Sequence, residues 1–316
     1  MSLNIISPGP LTTVQDLGRI GYMAYGFSQS GVMDQRSAKT ANILVGNDEG
    51  EAVLEMTMAG IRASFDEDNI IAVTGADFSP KINGKPVNMY CAVSVRAGDE
   101  LSLSAAKNGC RAYLSVAGGF DIPEVMGSRS TNLKCSIGGF EGRKLIAGDK
   151  IPLRHPRREI PGLSKRKVKK YDIDGMNAVL RVVLGPQDDY FGKDGIETFL
   201  KEVYTVTGDS DRMGIKFEGM PIESKQGVDI ISDGIAFGSV QIPSSGKPII
   251  MMADRQTTGG YAKIATVIGA DLPKLAQMKP FGRVCFDSVS VETAQKLSID
   301  EKNELEKLKK RFLKLK

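Results

Sequence analysis

The 35 glycines and 14 prolines of this 316-residue chain are spread along its length and cut it into short apolar runs. Runs of that length suit strands better than helices, so the punctuation favours β-barrels or sandwiches over a doubly wound α/β sheet. The clearest local signal is Pro80-Lys81-Ile82-Asn83-Gly84-Lys85-Pro86-Val87. Its central Asn83-Gly84 pair tolerates the positive φ angles that a two-residue type I′ hairpin turn requires. Further strands are expected at 69–74, 93–96, 100–104, 111–116, 179–184 and 283–289. Helices are few. One sets Ala38, Ala41 and Val45 on one face and stops at Gly46, and a second, capped by Asp194, carries Ile196, Phe199, Leu200 and Val203. A third, from Asp300, aligns Leu305, Leu308, Phe312 and Leu315 beneath a Lys-rich surface, as a packed appendage or a partner-binding helix.

A chain of this length exceeds the usual single domain, so two domains are the starting expectation. Between Arg154 and Lys170, Pro156, Pro161 and Gly162 interrupt structure and eight of seventeen residues are Lys or Arg. That composition predicts a first half over 1–155, a basic linker over 156–170, a second half over 171–299 and the helix over 300–316. With no aromatic side chain interleaved, the basic run is expected to be a solvated connector rather than a nucleic-acid site. Overall charge is nearly balanced, 42 basic against 38 acidic residues, which gives no general argument for nucleic acid or membrane. The four cysteines, Cys91, Cys110, Cys135 and Cys285, form no CxxC pair, and His155 is the sole histidine. No metal site is expected, Ser-His-Asp chemistry is poorly supported, and the thiols are expected to be buried and reduced. The N-terminus lacks the pattern of a secretory signal, so a cytoplasmic protein is expected.

Polar chemistry concentrates in Met252-Ala253-Asp254-Arg255-Gln256-Thr257-Thr258-Gly259-Gly260-Tyr261. The apolar run 248–252 before it predicts a buried strand with the polar cluster at its mouth, and the two glycines predict a sharp turn. A ligand-binding loop competes here with a plain loop in which Asp254 pairs Arg255 and Thr257 and Thr258 close the turn. Comparable clusters are Gln15-Asp16 with Arg19, Asp34 with Arg36, and Ser210-Asp211-Arg212. An Arg fork grips carboxylate or phosphate, while Asp orients the Arg or takes a proton. Gln15, Asp34, Arg212 and Asp254 are expected to share one polar groove. Ser245-Gly246-Lys247 resembles the end of a P-loop, but Pro248 replaces the magnesium-binding hydroxyl, so a hairpin turn is expected. Two echoes hint at duplication: 69–77 with 247–254, and Ser30-Gly31-Val32-Met33-Asp34 with Ser210-Asp211-Arg212-Met213-Gly214.

The opening Pro10-Leu11-Thr12-Thr13-Val14-Gln15-Asp16-Leu17-Gly18-Arg19-Ile20-Gly21-Tyr22 resembles the start of the allophanate hydrolase subunit 2 family. This family includes the C subunit of 5-oxoprolinase and the carboxyltransferase portion of biotin-dependent urea carboxylase. The resemblance continues, in order, through Leu44-Val45-Gly46-Asn47, 111–120, Gly127-Ser128-Arg129-Ser130-Thr131, Gly185-Pro186-Gln187, 210–214 and 254–261. It leaves out the C-terminal helix.

The resemblance implies a mainly β fold of duplicated cyclophilin-like β-barrels and a subunit of an ATP-dependent 5-oxoprolinase that opens 5-oxo-L-proline to glutamate. Implied partners are a subunit 1 homologue, equivalent to the B subunit of 5-oxoprolinase, and a LamB/YcsF-type A subunit, with ATP bound by this chain, by a partner or at a shared interface. Under that reading Arg212 and Arg255 bind the substrate carboxylate or stabilise phosphoryl charge, and Asp211 or Asp254 orients them or positions water. Gln15, Asp34, Arg36, Ser210, Gln256, Thr257 and Thr258 would contact substrate. Two alternatives are a carboxyltransferase component, which would use biotin, and a regulatory antagonist of a histidine-kinase inhibitor. Peptidyl-prolyl isomerase activity would rest on fold alone.

Overall fold

Short apolar runs bounded by turns become twenty short strands and four α-helices in the computed structural model, which describes residues 1–315. The helices are α1 (Gln35–Val45), α2 (Gly192–Lys201), α3 (Leu272–Ala276) and α4 (Val291–Leu313). Two units separate. The first comprises Met1–Ile20, Ser30–Ile173 and the chain from Asn303, the second Gly21–Gln29 and Asp174–Lys302.

In the first unit a six-stranded sheet runs Lys150–Pro152, Ser2–Ser7, Arg62–Phe65, Glu100–Ser102, Lys81–Ile82, Lys85–Pro86. A five-stranded sheet runs Leu11–Gln15, Val53–Thr57, Arg111–Val116, Asn69–Gly75, Ala92–Val95. Strand Asn69–Gly75 is buried at every position, which explains the apolar run Ile70-Ile71-Ala72-Val73 at its centre. Alternate side chains serve two cores: Ile71 and Val73 join Leu3, Phe65 and Leu114, while Ile70 and Ala72 pack with Ile43, Leu44 and Val45 of α1. Asn83 and Gly84 have φ of 49° and 76°, as the type I′ turn demands.

The second unit contains a closed barrel in the order Asn177–Leu184, Lys263–Val267, Ser239–Gln241, Ile249–Met251, Gly214–Glu218, Tyr204–Val206, Arg283–Ser288. Closure comes from parallel pairing of Arg283–Ser288 with Asn177–Leu184. The rings of Phe199 and Phe286 stack with centroids 4.3 Å apart, and Tyr204 and Phe217 pack around Phe286. A separate ribbon pairs Asp229–Gly234 with Thr258–Tyr261.

Several expectations are corrected. The C-terminal helix starts at Val291, not Asp300, because Ser290 Oγ accepts the Thr293 N–H and begins the helix earlier. Its Leu305 and Phe312 are buried with Ile43, Leu44 and Ile160 of the first unit. Asp194 lies in the first turn of α2 rather than at its cap, where its charge suits the helix N-terminus. The basic segment 156–170 belongs to the first unit and is not a solvated connector: Ile160 and Arg166 are buried there. Residues 21–29, assigned by sequence to the first half, group with the second unit. Of the cysteines, Cys110 is buried, Cys135 is exposed and all four are free.

Asp271, at the start of α3, is fully buried and receives Arg181 Nε and Nη2 at 2.8 and 2.7 Å and Lys274 Nζ at 2.8 Å. Burial works against the carboxylate, but the hydrogen bonds from Arg181 and Lys274 outweigh it and hold its pKa below the usual value. Asp271 therefore stabilises the fold fully above the unfolded aspartate pKa of about 4, and this contribution is lost as pH falls. Asp271→Asn is expected to cost about 3 kcal/mol in urea unfolding at neutral pH, and to cost less in acid. A loss under about 0.5 kcal/mol would show that the pair is dispensable.

Candidate functional site

Strand Ile249–Met251 delivers the loop Asp254-Arg255-Gln256-Thr257 at its end, as the apolar run predicts. The backbone N–H of Met252 donates to Met213 O and that of Asp254 to Arg212 O, both at 2.8 Å, clamping this loop to the one at 210–213. Arg212 Nε and Nη2 then reach the Asp254 carboxylate at 2.9 and 3.2 Å. With the two side chains 6% and 9% exposed, each charge depends on the other for solvation. Asp254 thus pairs with Arg212 and not with its sequence neighbour Arg255. Asp211 is exposed, and its Oδ1 accepts the N–H groups of Met213 and Gly214, while Ser210 Oγ accepts that of Lys216. Both fix the turn that presents Arg212.

Arg255 points away from that pair. The residue is 3% exposed, and its guanidinium donates to Ile235 O at 3.0 Å, Met252 O at 3.3 Å and Gln29 Oε1 at 3.2 Å, over the ring of Phe237. Among the described residues no carboxylate lies within ion-pair distance of it, and burial lowers its pKa to about 10. It stays cationic at neutral pH, held by carbonyl oxygens, the Phe237 ring and the Met23 sulfur with no carboxylate beside it among the described residues. Beside it, Gln256 Oε1 is buried with no hydrogen-bond partner among the described residues. Thr257 O accepts the Ile235 N–H, and Thr258 is exposed.

Gly259 and Gly260 do not form the turn expected of them; they lie inside strand Thr258–Tyr261. Gly259 instead permits close approach, since a methyl group there would stand 2.7 Å from Ile235 Cδ1 and 2.9 Å from Gln241 Nε2. One strand further on is a cluster that sequence reasoning missed. Lys263 is 2% exposed; its Nζ meets Asp233 Oδ2 at 3.2 Å, and its N–H donates to Gln187 Oε1 at 3.1 Å. The Gly234 N–H and then Lys263 hold the Asp233 pKa below its usual value. The one signal in the sequence was a lone lysine inside the apolar run Ala262-Lys263-Ile264-Ala265. Gln187, Gln241, Gln256, Arg255 and Lys263 together supply amides and two buried cations, a set suited to a carboxylate or amide ligand.

The remaining candidates lie in the first unit. Gln15 Nε2 donates to Thr131 O and Thr13 Oγ1, and its Oε1 is buried without a partner among the described residues. Asp34 caps α1 through the N–H and hydroxyl of Ser37. Arg36 stacks 4.1 Å from the Tyr171 ring and reaches Glu304 at 3.0 Å. Each of the three makes contacts that hold local structure. Asp16 and Arg19 do likewise: Asp16 accepts from Ser128, Ser130, Gly18 and Arg129, and Arg19 donates to Ser130 O.

The model of the carboxyltransferase domain, subdomains A and B, matches residues 25–288. The chain belongs to this carboxyltransferase-domain family. Among its relatives, the C subunit of 5-oxoprolinase from Haemophilus influenzae is 39% identical over 96% of both chains, and that of Escherichia coli 37% identical over 97% of both. The solved urea amidolyase of K. lactis is 29% identical, with a TM-score of 0.90 over 97% of this chain. This chain spans about a fifth of that much longer protein, 20% of its length. Family membership fits the mainly β architecture and the ordered correspondence of motifs up to the C-terminal helix.

Arg255→Lys tests the carbonyl-held guanidinium. An ammonium cannot reach three divergent acceptors from one position, so the variant is expected to lose about 1–3 kcal/mol of stability. A melting temperature equal to that of the parent would mean that the three contacts contribute nothing.

Proposed function

We propose that this chain is the C subunit of a 5-oxoprolinase, working with partner subunits to open 5-oxo-L-proline to L-glutamate. The observation that carries this reading is the end-to-end match, 96% of each chain, to a relative named for that role. The lactam is a poor electrophile. ATP would transfer its γ-phosphoryl group to the exocyclic carbonyl oxygen and leave as ADP. One water then adds its oxygen to the carbonyl carbon, the C–N bond breaks as the nitrogen gains a proton, and a second water hydrolyses the resulting acyl phosphate to glutamate and phosphate.

The residues of this chain that most resemble a phosphate loop do not fit ATP. The N–H of Gly246 donates to Pro243 O, that of Lys247 to Ser245 Oγ, and the Lys247 ammonium pairs with Glu218. These donors are already used, so ATP is assigned to a partner, and the expected assembly adds a B-subunit homologue and a LamB/YcsF-type A subunit. Within this chain Lys263 and Arg255 are assigned to the substrate, their charges facing its carboxylate and the oxygen where negative charge grows. Gln187, Gln241 and Gln256 orient the amide. Arg212 and Asp254 position the loop that carries Arg255.

A carboxyltransferase role is the second reading, favoured by the TM-score of 0.90 to the K. lactis urea amidolyase. It requires a biotinylated partner. Co-purification from the native source separates the two: a biotinylated protein that streptavidin detects would support carboxyl transfer, and its absence together with glutamate and ADP production would support the oxoprolinase.

The isolated chain is expected to show no turnover of 5-oxoproline, and addition of both partners to restore it; robust activity from the chain alone would refute the subunit reading. Lys263→Met then tests the site. Methionine keeps the aliphatic bulk in the barrel wall, and the Asp233 side chain, 58% exposed, stays solvated without its partner. Stability should therefore change little while kcat/KM of the assembled complex falls about ten- to a hundredfold. Unchanged kinetics would remove Lys263 from the site.

A further inference from the structure

A cavity of about 430 Å³ in the first unit opens where α1 ends at Gly46, and Arg154, His155, Arg157, Arg166, Lys309 and Phe312 form much of its wall. Four permanent cations line it against two carboxylates, Asp48 and Glu51, an excess of two positive charges. Both carboxylates are already engaged. Glu51 pairs with Arg154, and the exposed Asp48 lies 3.7 Å from Lys309.

Arg157 and Arg166 have no carboxylate partner among the described residues. Arg166 is 5% exposed and donates to the carbonyls of Pro161, Ile43, Leu44 and Phe312, which also absorbs the negative end of α1. Arg157 spends one Nη1 hydrogen bond on Gly46 O and is otherwise exposed. The two forks converge: a methyl group on Gly46 would lie 3.7 Å from Arg157 Nη1 and 3.8 Å from Arg166 Nη1. Burial, and then the charge of Arg157, lowers the Arg166 pKa, the response of two like charges without a counter-ion between them. His155 at the rim makes no side-chain hydrogen bond among the described residues and adds a donor. Ile43, Phe312 and Leu313 supply an apolar side to the same cavity.

We infer that this cavity binds a phosphate monoester: the dianionic phosphate between Arg157, Arg166 and Lys309, and a small apolar ester group against Phe312 and Leu313. The excess of two positive charges matches the dianion. Arg157, with only one Nη1 bond spent on Gly46 O, offers its remaining N–H donors to phosphate oxygens, while Arg166, most of its donors spent on carbonyls, contributes its uncancelled charge. The volume falls within the range of small-molecule sites, about 300–1,000 Å³. This inference involves other residues than the proposed oxoprolinase site and stands apart from it.

Calorimetric titration of the full chain with inorganic phosphate and with phenyl phosphate tests it, sodium chloride at matched ionic strength serving as control. Both phosphates should bind saturably, phenyl phosphate more tightly, and chloride should not. Arg157→Ser and Lys309→Ser should each weaken phenyl phosphate about tenfold or more, the loss of a charge-assisted contact. Among the carboxylates of the described residues Lys309 touches only the exposed Asp48, so its variant retains the fold and keeps the test decisive if Arg157→Ser melts early. No saturable binding up to about 10 mM, a limit that corresponds to roughly 3 kcal/mol, would overturn the inference. Equal affinity in parent and Lys309→Ser would overturn it as well.

Discussion

Closure of the second unit's barrel depends on one parallel pairing, Asn177–Leu184 against Arg283–Ser288. The other strand pairs in that barrel are antiparallel, so the sheet curls until its first and last strands meet side by side. Closing removes both edges and leaves polar residues to the strand ends and the loops beyond them. Arg212 precedes strand Gly214–Glu218 and Asp254 follows strand Ile249–Met251. These two strands are neighbours with Gly214 opposite Met251, so the Arg212–Asp254 bridge is a consequence of register.

The same logic explains what the sequence made legible. Strand Arg111–Val116, buried at all six positions, and the Asn83-Gly84 hairpin were readable because a short, mostly apolar run and a positive φ leave local marks. The end of α1 at Gly46 was readable for the same reason, with the glycine at φ 76° in the left-handed region. Partner choice was not. Asp254 and Arg255 are adjacent in sequence, yet Asp254 bridges to Arg212 and Arg255 turns to Ile235 O, because the strand register decides who meets whom. Lys263 escaped notice since its meaning lies in burial, which a charged letter in a strand does not announce.

The internal echo is equally instructive. Segments 69–77 and 247–254 both supply buried strands ending near an aspartate. Their aspartates part company: Asp77 accepts the Ser79 N–H in a local turn, while Asp254 holds Arg212 across two loops. The first unit builds two sheets of six and five strands where the second closes seven into a barrel. Similar strand patterns thus specify similar local burial without fixing the polar contacts at their ends.

Buried arginines held by carbonyls occur in both units, and comparing them sharpens what each can do. Arg166 donates to four carbonyls and Arg255 to two carbonyls and an amide oxygen. Carbonyl dipoles satisfy N–H donors but cancel no net charge, so each guanidinium retains an attraction for an anion that a carboxylate partner would have quenched. Arg212, bridged to Asp254, has lost that attraction. Positive charge without a buried counter-ion therefore separates the arginines able to recruit a ligand from the one that braces the fold. Proximity of Arg to Asp in sequence ranks them the other way.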